Sequence, residues 1–195
     1  MTTADHEADA AAMERLQAGD DLALNELMIR WKEPLARFLF RFTQNECDAV
    51  DLAQDTFVRV YEALSRYDAR ANFATWLFAI ARNLCRNHAR YKARHPQVSL
   101  DANVAPEGDA TLADRLASET KSPAQDADTH ELSLAVRAAI QSLPEDQRTA
   151  TLLFEYEDFS HVEIARVLGC SAKAVENRLY RARQTLREKL IRWLG

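Results

Sequence analysis

The sequence predicts an all-α fold: two small helical domains joined by a flexible acidic linker, with a C-terminal helix-turn-helix. Three observations carry this. Four glycines and five prolines in 195 residues, against 47% apolar residues, are few turn formers for a chain able to bury a core. Apolar residues recur at spacings of three and four in both halves. Between the halves, from His95 to about His130, that period fades into a stretch rich in Asp, Ala, Ser and Thr that holds Pro106, Gly108 and Pro123. The expected domains are 10–95 and 131–195, with 96–130 as linker and one short helical turn around Leu112 to Leu116.

Each element has its own signal. Leu22, Leu24, Leu27, Met28, Trp31, Leu35, Phe38, Leu39 and Phe42 mark a long helix. A second is expected from about Cys47 to Leu64, with Val50, Ala53, Phe57, Val58, Tyr61 and Leu64 inward. A third starts near Thr75, runs through Trp76, Leu77, Ile80, Ala81 and Leu84 towards Arg94, and is stopped with help from Pro96. The pattern resumes with Leu132, Leu134, Val136, Ala139, Ile140 and Leu143. Pro144, followed by Glu145 and Asp146, suits the first turn of the next helix, where a missing N–H costs nothing and acids meet the positive dipole end. Ser160 with Glu163 forms a capping box for a short helix, Gly169 breaks it, and Ser171 caps a longer one whose stripe is Val175, Leu179, Leu186 and Leu190.

Charge is distributed unevenly along this frame. The net charge is −5, an odd balance for a protein that grips nucleic acid unaided. Yet residues 82–94 hold five basic and no acidic side chains, and 172–192 hold seven basic against two acidic. Residues 99–131 hold eight acidic and two basic ones. Arg82, Arg86, Arg90 and Arg94 recur every fourth residue and so share one helix face, with Asn83 and Asn87 beside them. Asn72, Phe73, Trp76 and Phe78 lie just upstream. Basic rails beside aromatic rings suit single-stranded DNA, although Trp76 and Phe78 fit a core better than a base stack and Phe73 fits either. The last helix presents Lys173, Arg178, Arg181 and Arg183, which suits the major groove of duplex DNA. A solvated basic face is the plainer alternative there.

Other classes find little support. The glycines, Gly19, Gly108, Gly169 and Gly195, make no phosphate-cradling loop, and the five histidines have no metal-ligand spacing, so no enzyme activity, cofactor or metal is expected. Cys47, Cys85 and Cys170 read as reduced, packed thiols. The N-terminus lacks the apolar core of a signal peptide, and the longest uncharged run, Ala71 to Ala81, is too short to span a bilayer. A cytoplasmic protein is expected, with no membrane contact.

In order along the chain, DLAQDTFVRVYEAL (51–64), FATWLFAIARNLCRNHARYKAR (73–94), a linker and the Leu143–Leu190 block resemble the extracytoplasmic-function class of bacterial sigma factors. The resemblance implies a specificity subunit that directs core RNA polymerase to promoters. It implies that Asp51, Gln54 and Asp55, with Phe57 partly core, dock on the clamp helices of β′, and that the β flap is a second polymerase contact. It assigns the minus-ten element to Asn72, Phe73, Trp76, Arg82, Asn83, Arg86, Asn87 and Arg90, with Asn83 and Asn87 at the base-reading and strand-binding positions. It assigns the minus-thirty-five element to Ser171, Lys173, Glu176, Asn177, Arg178, Tyr180, Arg181 and Arg183. Glu176 departs from the basic or small polar residue of several relatives, since an acid repels phosphate. An anti-sigma factor is a further partner that the resemblance allows. The competing reading is a stand-alone helix-turn-helix regulator, which explains the C-terminal block but not the arginine row.

Overall fold

The structure, a computed structural model, describes residues 3–68, 71–95 and 126–193. Eight α-helices and two 3-10 turns make up the ordered elements among them, and none of those residues forms a strand. The expected turn around Leu112 to Leu116 lies outside the described residues. Helices α1 (Thr3–Gln17), α2 (Leu22–Thr43), α3 (Glu46–Glu62) and α4 (Phe73–Arg94) form the first domain. Helices α5 (Asp126–Gln141), α6 (Glu145–Tyr156), α7 (His161–Leu168) and α8 (Ala172–Lys189) form the second.

In α2 the residues Leu27, Trp31, Leu35, Phe38, Leu39 and Phe42 are buried as the spacing predicts, whereas Ala23 is buried in place of Leu22, which is exposed. The helix ends where Gln44 turns left-handed (φ 56°) and its N–H donates to the Phe40 carbonyl. Asn45 then caps α3 by accepting the Asp48 N–H at 2.9 Å. The inward face of α3 differs from the expected one. Ala49, Leu52, Ala53, Thr56, Phe57 and Val60 are buried, while Val50, Val58 and Tyr61 are exposed. Both stripes run through Ala53 and Phe57, so helical spacing alone did not separate them. The face that α3 turns to α2 and α4 is the one through Ala49, Leu52 and Thr56.

Helix α1, which the apolar pattern missed before Met13, is held by a buried carboxylate. Asp9 accepts the Trp31 indole N–H at 3.0 Å and pairs with Arg30. Burial pushes its carboxyl upward, and the Arg30 guanidinium pulls it partly back. Helix α4 starts at Phe73, two residues before the expected Thr75, because the Asn72 side chain accepts the Thr75 N–H and caps it. Helix α5 begins at Asp126, inside the stretch expected to be linker. Pro144 is the cap of α6 rather than its first residue, its ψ of 144° leaving the helix to start at Glu145.

The two domains share one core. Helix α4 packs on α7 and α2 on α6. Phe78, at the centre of an aromatic hub with Phe38 (5.2 Å) and Trp31 (6.1 Å), also meets Phe159 edge-on at 5.2 Å. Full burial of each such ring contributes about 1.5–3 kcal/mol. The Gln141 amide donates to the carbonyls of Arg41 (2.9 Å) and Phe42 (3.0 Å), and Arg148 lies over the Phe42 ring. Cys85 is 1% exposed at this seam, and the charges of Glu145 and Arg148 across it act on its thiol.

Candidate nucleic-acid interface

Local capping builds the helix-turn-helix as expected. The Ser160 hydroxyl accepts the Glu163 N–H (3.3 Å), and the Glu163 carboxylate accepts the Ser160 N–H (2.8 Å). Gly169 takes φ 65°, a left-handed conformation that costs glycine little. The Ser171 hydroxyl accepts the Ala174 N–H at 3.2 Å, so that hydroxyl is engaged in starting α8. Val175, Leu179 and Ala182 are buried beneath α8. Its outer face carries Lys173, Glu176, Asn177, Tyr180, Arg181 and Arg183, all exposed, with Lys173 at 77% and Tyr180 at 64%.

Several of these side chains have local partners. Lys173 donates to Glu176 at 2.6 Å, and that hydrogen bond holds the Glu176 carboxyl below its ordinary range. The acid thus faces solvent as half of a pair with Lys173. Arg183 pairs with Glu155 (3.2 Å) and lies over the Phe154 ring. Arg178 is half-buried; it donates to the Cys170 sulfur and pairs with Asp146 at 3.0 Å. The Gln184 amide donates to the Tyr180 hydroxyl.

The arginine row lies on α4, with Asn83, Asn87, Arg90 and Arg94 exposed. Arg82 is different: its side chain is 12% exposed and pairs with Asp146 at 2.7 Å. Arg86 approaches Glu145 at 3.9 Å. Asn72 donates to the Glu163 carboxylate at 3.1 Å, so one amide caps α4 and touches α7. Phe73 is a core residue, 1% exposed and ringed by Trp31, Tyr67 and Trp76, which removes it from the surface rings available to a base. Trp76 keeps a partly open position against Tyr67 (4.9 Å). Phe57 is buried, whereas Asp51, Gln54 and Asp55 stand exposed on α3.

Two open grooves flank the row, with residues that sequence reasoning missed. One, of about 480 Å³, sets Arg59, Glu62 and Arg66 opposite Asn83 and Asn87. The other, of about 560 Å³, joins Asp55 to Asn87, Arg90 and Arg94. Arg59 lies on α3 and Arg66 in the 3-10 turn Leu64–Arg66 after it, so helical spacing does not relate them. Among the described residues no group of three His, Cys, Asp or Glu side chains could hold a metal ion, and no helix is long and apolar enough to cross a membrane.

Comparison with known proteins matches residues 27–95 to the family described as "Sigma-70 region 2" and residues 133–186 to "Sigma-70, region 4". The chain is 34% identical over 187 residues to the RNA polymerase sigma-H factor of Pseudomonas aeruginosa, covering 94% of each protein. It is 33% identical over 183 residues to the ECF RNA polymerase sigma-E factor of Escherichia coli K12, covering 93% of this chain and 94% of that one. Among solved structures, CnrH in complex with the cytosolic domain of CnrY matches at TM-score 0.67 and 30% identity, over 94% of this chain and 97% of that one. The sigma factor RpoE of Bartonella quintana, in complex with the anti-sigma factor NepR, shares the fold at TM-score 0.62 and 23% identity, over 85% and 95% of the two chains. The matches span both halves, which disfavours a stand-alone regulator with an unrelated first domain.

Proposed function

Because this chain belongs to the extracytoplasmic-function class of the sigma-70 family and directs core RNA polymerase to promoters, we propose a division of labour among its surfaces. Residues 10–95 bind core polymerase and the minus-ten element, 96–130 link, and 131–195 read the minus-thirty-five element. Asp51, Gln54 and Asp55 form the face for the β′ clamp helices; an exposed acidic and amide-bearing helix face is suited to a basic partner helix. Asn83 and Asn87, exposed beside the row of Arg82, Arg86 and Arg90, take bases of the separated strand while the arginines hold phosphates. Lys173, Asn177, Arg178, Tyr180 and Arg181 contact duplex from α8, and Arg183 neutralises phosphate. An anti-sigma protein is a regulatory partner, by analogy with the RpoE–NepR complex.

The observation that carries this reading is the presence of two basic faces on separate helices: the arginine row of α4 beside grooves shared with α3, and the exposed face of α8, the capped second helix of the helix-turn-helix. The test separates them by the state of the DNA. Arg181→Ala should weaken recruitment of polymerase to closed promoter duplex, at about 1–3 kcal/mol for a lost bidentate guanine contact. Asn83→Ala should leave recruitment intact and impair opening, read by permanganate footprinting with base substitutions in the minus-ten element. If opening and base preference were both unchanged, the α4 assignment would be wrong.

A further inference from the structure

Over its first three turns α8 carries one acid, Glu176, against Lys173, Arg178 and Arg181. Glu176 stands in the second turn, with Lys173 one turn before it and Tyr180 one turn after, and all three are exposed. An acid that met only the phosphates of a duplex would weaken binding. This one does not stand alone. Lys173 donates to it at 2.6 Å, so the two approach a groove as a neutral pair. The hydrogen bond and charge of Lys173, with a smaller pull from His161 at the start of α7, hold the carboxyl below its ordinary range. At neutral pH it is therefore an acceptor with no proton to donate. Its side chain is 44% exposed, which leaves oxygen lone pairs open to a further donor.

We propose that Glu176 is a specificity-determining residue that selects a cytosine in the minus-thirty-five element, with Lys173 offsetting the phosphate field around it. The inference rests on the assignment of α8 to duplex DNA. Residues in the N-terminal turns of a helix laid in the major groove reach base edges. Cytosine presents its N4 amino donor there, whereas guanine (N7 and O6) and thymine (O4) present acceptors that repel a carboxylate. Adenine sets its N6 donor beside the N7 acceptor, so half of its edge is unfavourable. The acid thus selects as much by rejection as by attraction. An exposed ion pair one turn apart contributes little to stability, so replacing Glu176 tests base choice and leaves the fold in place.

The test uses holoenzyme assembled from core polymerase and the full-length chain, with a duplex library in which both promoter elements are randomised. Wild type should enrich one pair of the upstream element at which cytosine is favoured over thymine by about tenfold. Glu176→Gln supplies an amide that fits adenine N6 and N7, so enrichment at that pair should move from cytosine to adenine while the rest of the upstream motif stays. It also frees Lys173 for a phosphate. The log–log dependence of affinity on salt should then steepen by about 0.9, the value for one added phosphate contact. The same upstream motif for wild type and Glu176→Gln overturns the proposal, and an unchanged salt dependence overturns the role given to Lys173. Arg181→Ala checks the underlying assignment. If it alters the upstream motif and Glu176→Gln does not, the cytosine contact alone fails; if neither alters it, α8 does not read the element.

Discussion

Glu157, at the C-terminal end of α6, is a carboxyl in an unfavourable place. Burial pushes it from an ordinary value of 4.5 up to about 7, against the pull of Arg41 and Arg37 on α2 and with a smaller push from Asp158. A raised value means the folded chain holds a proton that the unfolded chain has released. Stability contributed by this group is therefore full below about pH 4.5 and falls as pH rises to about 7, by at most about 3 kcal/mol. Glu157→Gln should flatten the pH dependence of the melting temperature between pH 5 and 8 and raise it at pH 8; an unchanged slope would show that burial does not act on this carboxyl. At Gly169 the constraint is backbone rather than charge. A Cβ there meets nothing within 4 Å, but φ is 65°. Gly169→Ala should cost about 1–2 kcal/mol through backbone conformation, read as a lower melting temperature with an unchanged helical circular-dichroism spectrum.

Helix α3 divides its surface between packing and the proposed polymerase contact. Asp51→Arg with Asp55→Arg should reduce co-purification with core polymerase, while exposed charges shift stability by no more than about 0.5 kcal/mol. Unchanged co-purification would remove these residues from the interface. The elements were legible to the extent that their signals are local. The turn between α7 and α8 could be read nearly residue by residue, because Ser160, Glu163, Gly169 and Ser171 act within four positions of themselves. The face of α3 was misread because two stripes share Ala53 and Phe57. The apolar pattern marks α1 only from Met13, because before it the tie to α2 is the buried carboxylate of Asp9 rather than a large apolar side chain. The seam had no local signal at all: Arg82 and Asp146 lie 64 positions apart, and neither sits in a periodic pattern that points to the other.

At the scale of the whole molecule, the net charge of −5 acquires a geometry. The acids at the start of α6 face the basic row of α4, so charge that looks segregated along the sequence is partly neutralised across the fold. Cys85 sits in this same seam, its thiol pushed up to about 12 chiefly by burial and next by the charge of Glu145. Such a thiol is nearly inert while the domains stay together, because the reactive species is the thiolate. The chain thus carries a built-in stopwatch for domain separation. Under native conditions iodoacetamide should alkylate exposed Cys47 first and Cys85 at the pace of opening, as followed by mass spectrometry. Glu145→Gln with Asp146→Asn removes two carboxylates that pair across the seam and should shorten that wait; identical Cys85 labelling in both chains would place the rate-setting motion elsewhere than the seam. The same chemistry gives the open chain an oxidative lifetime: the longer its halves stay apart, the longer a thiol from the shared core meets peroxide.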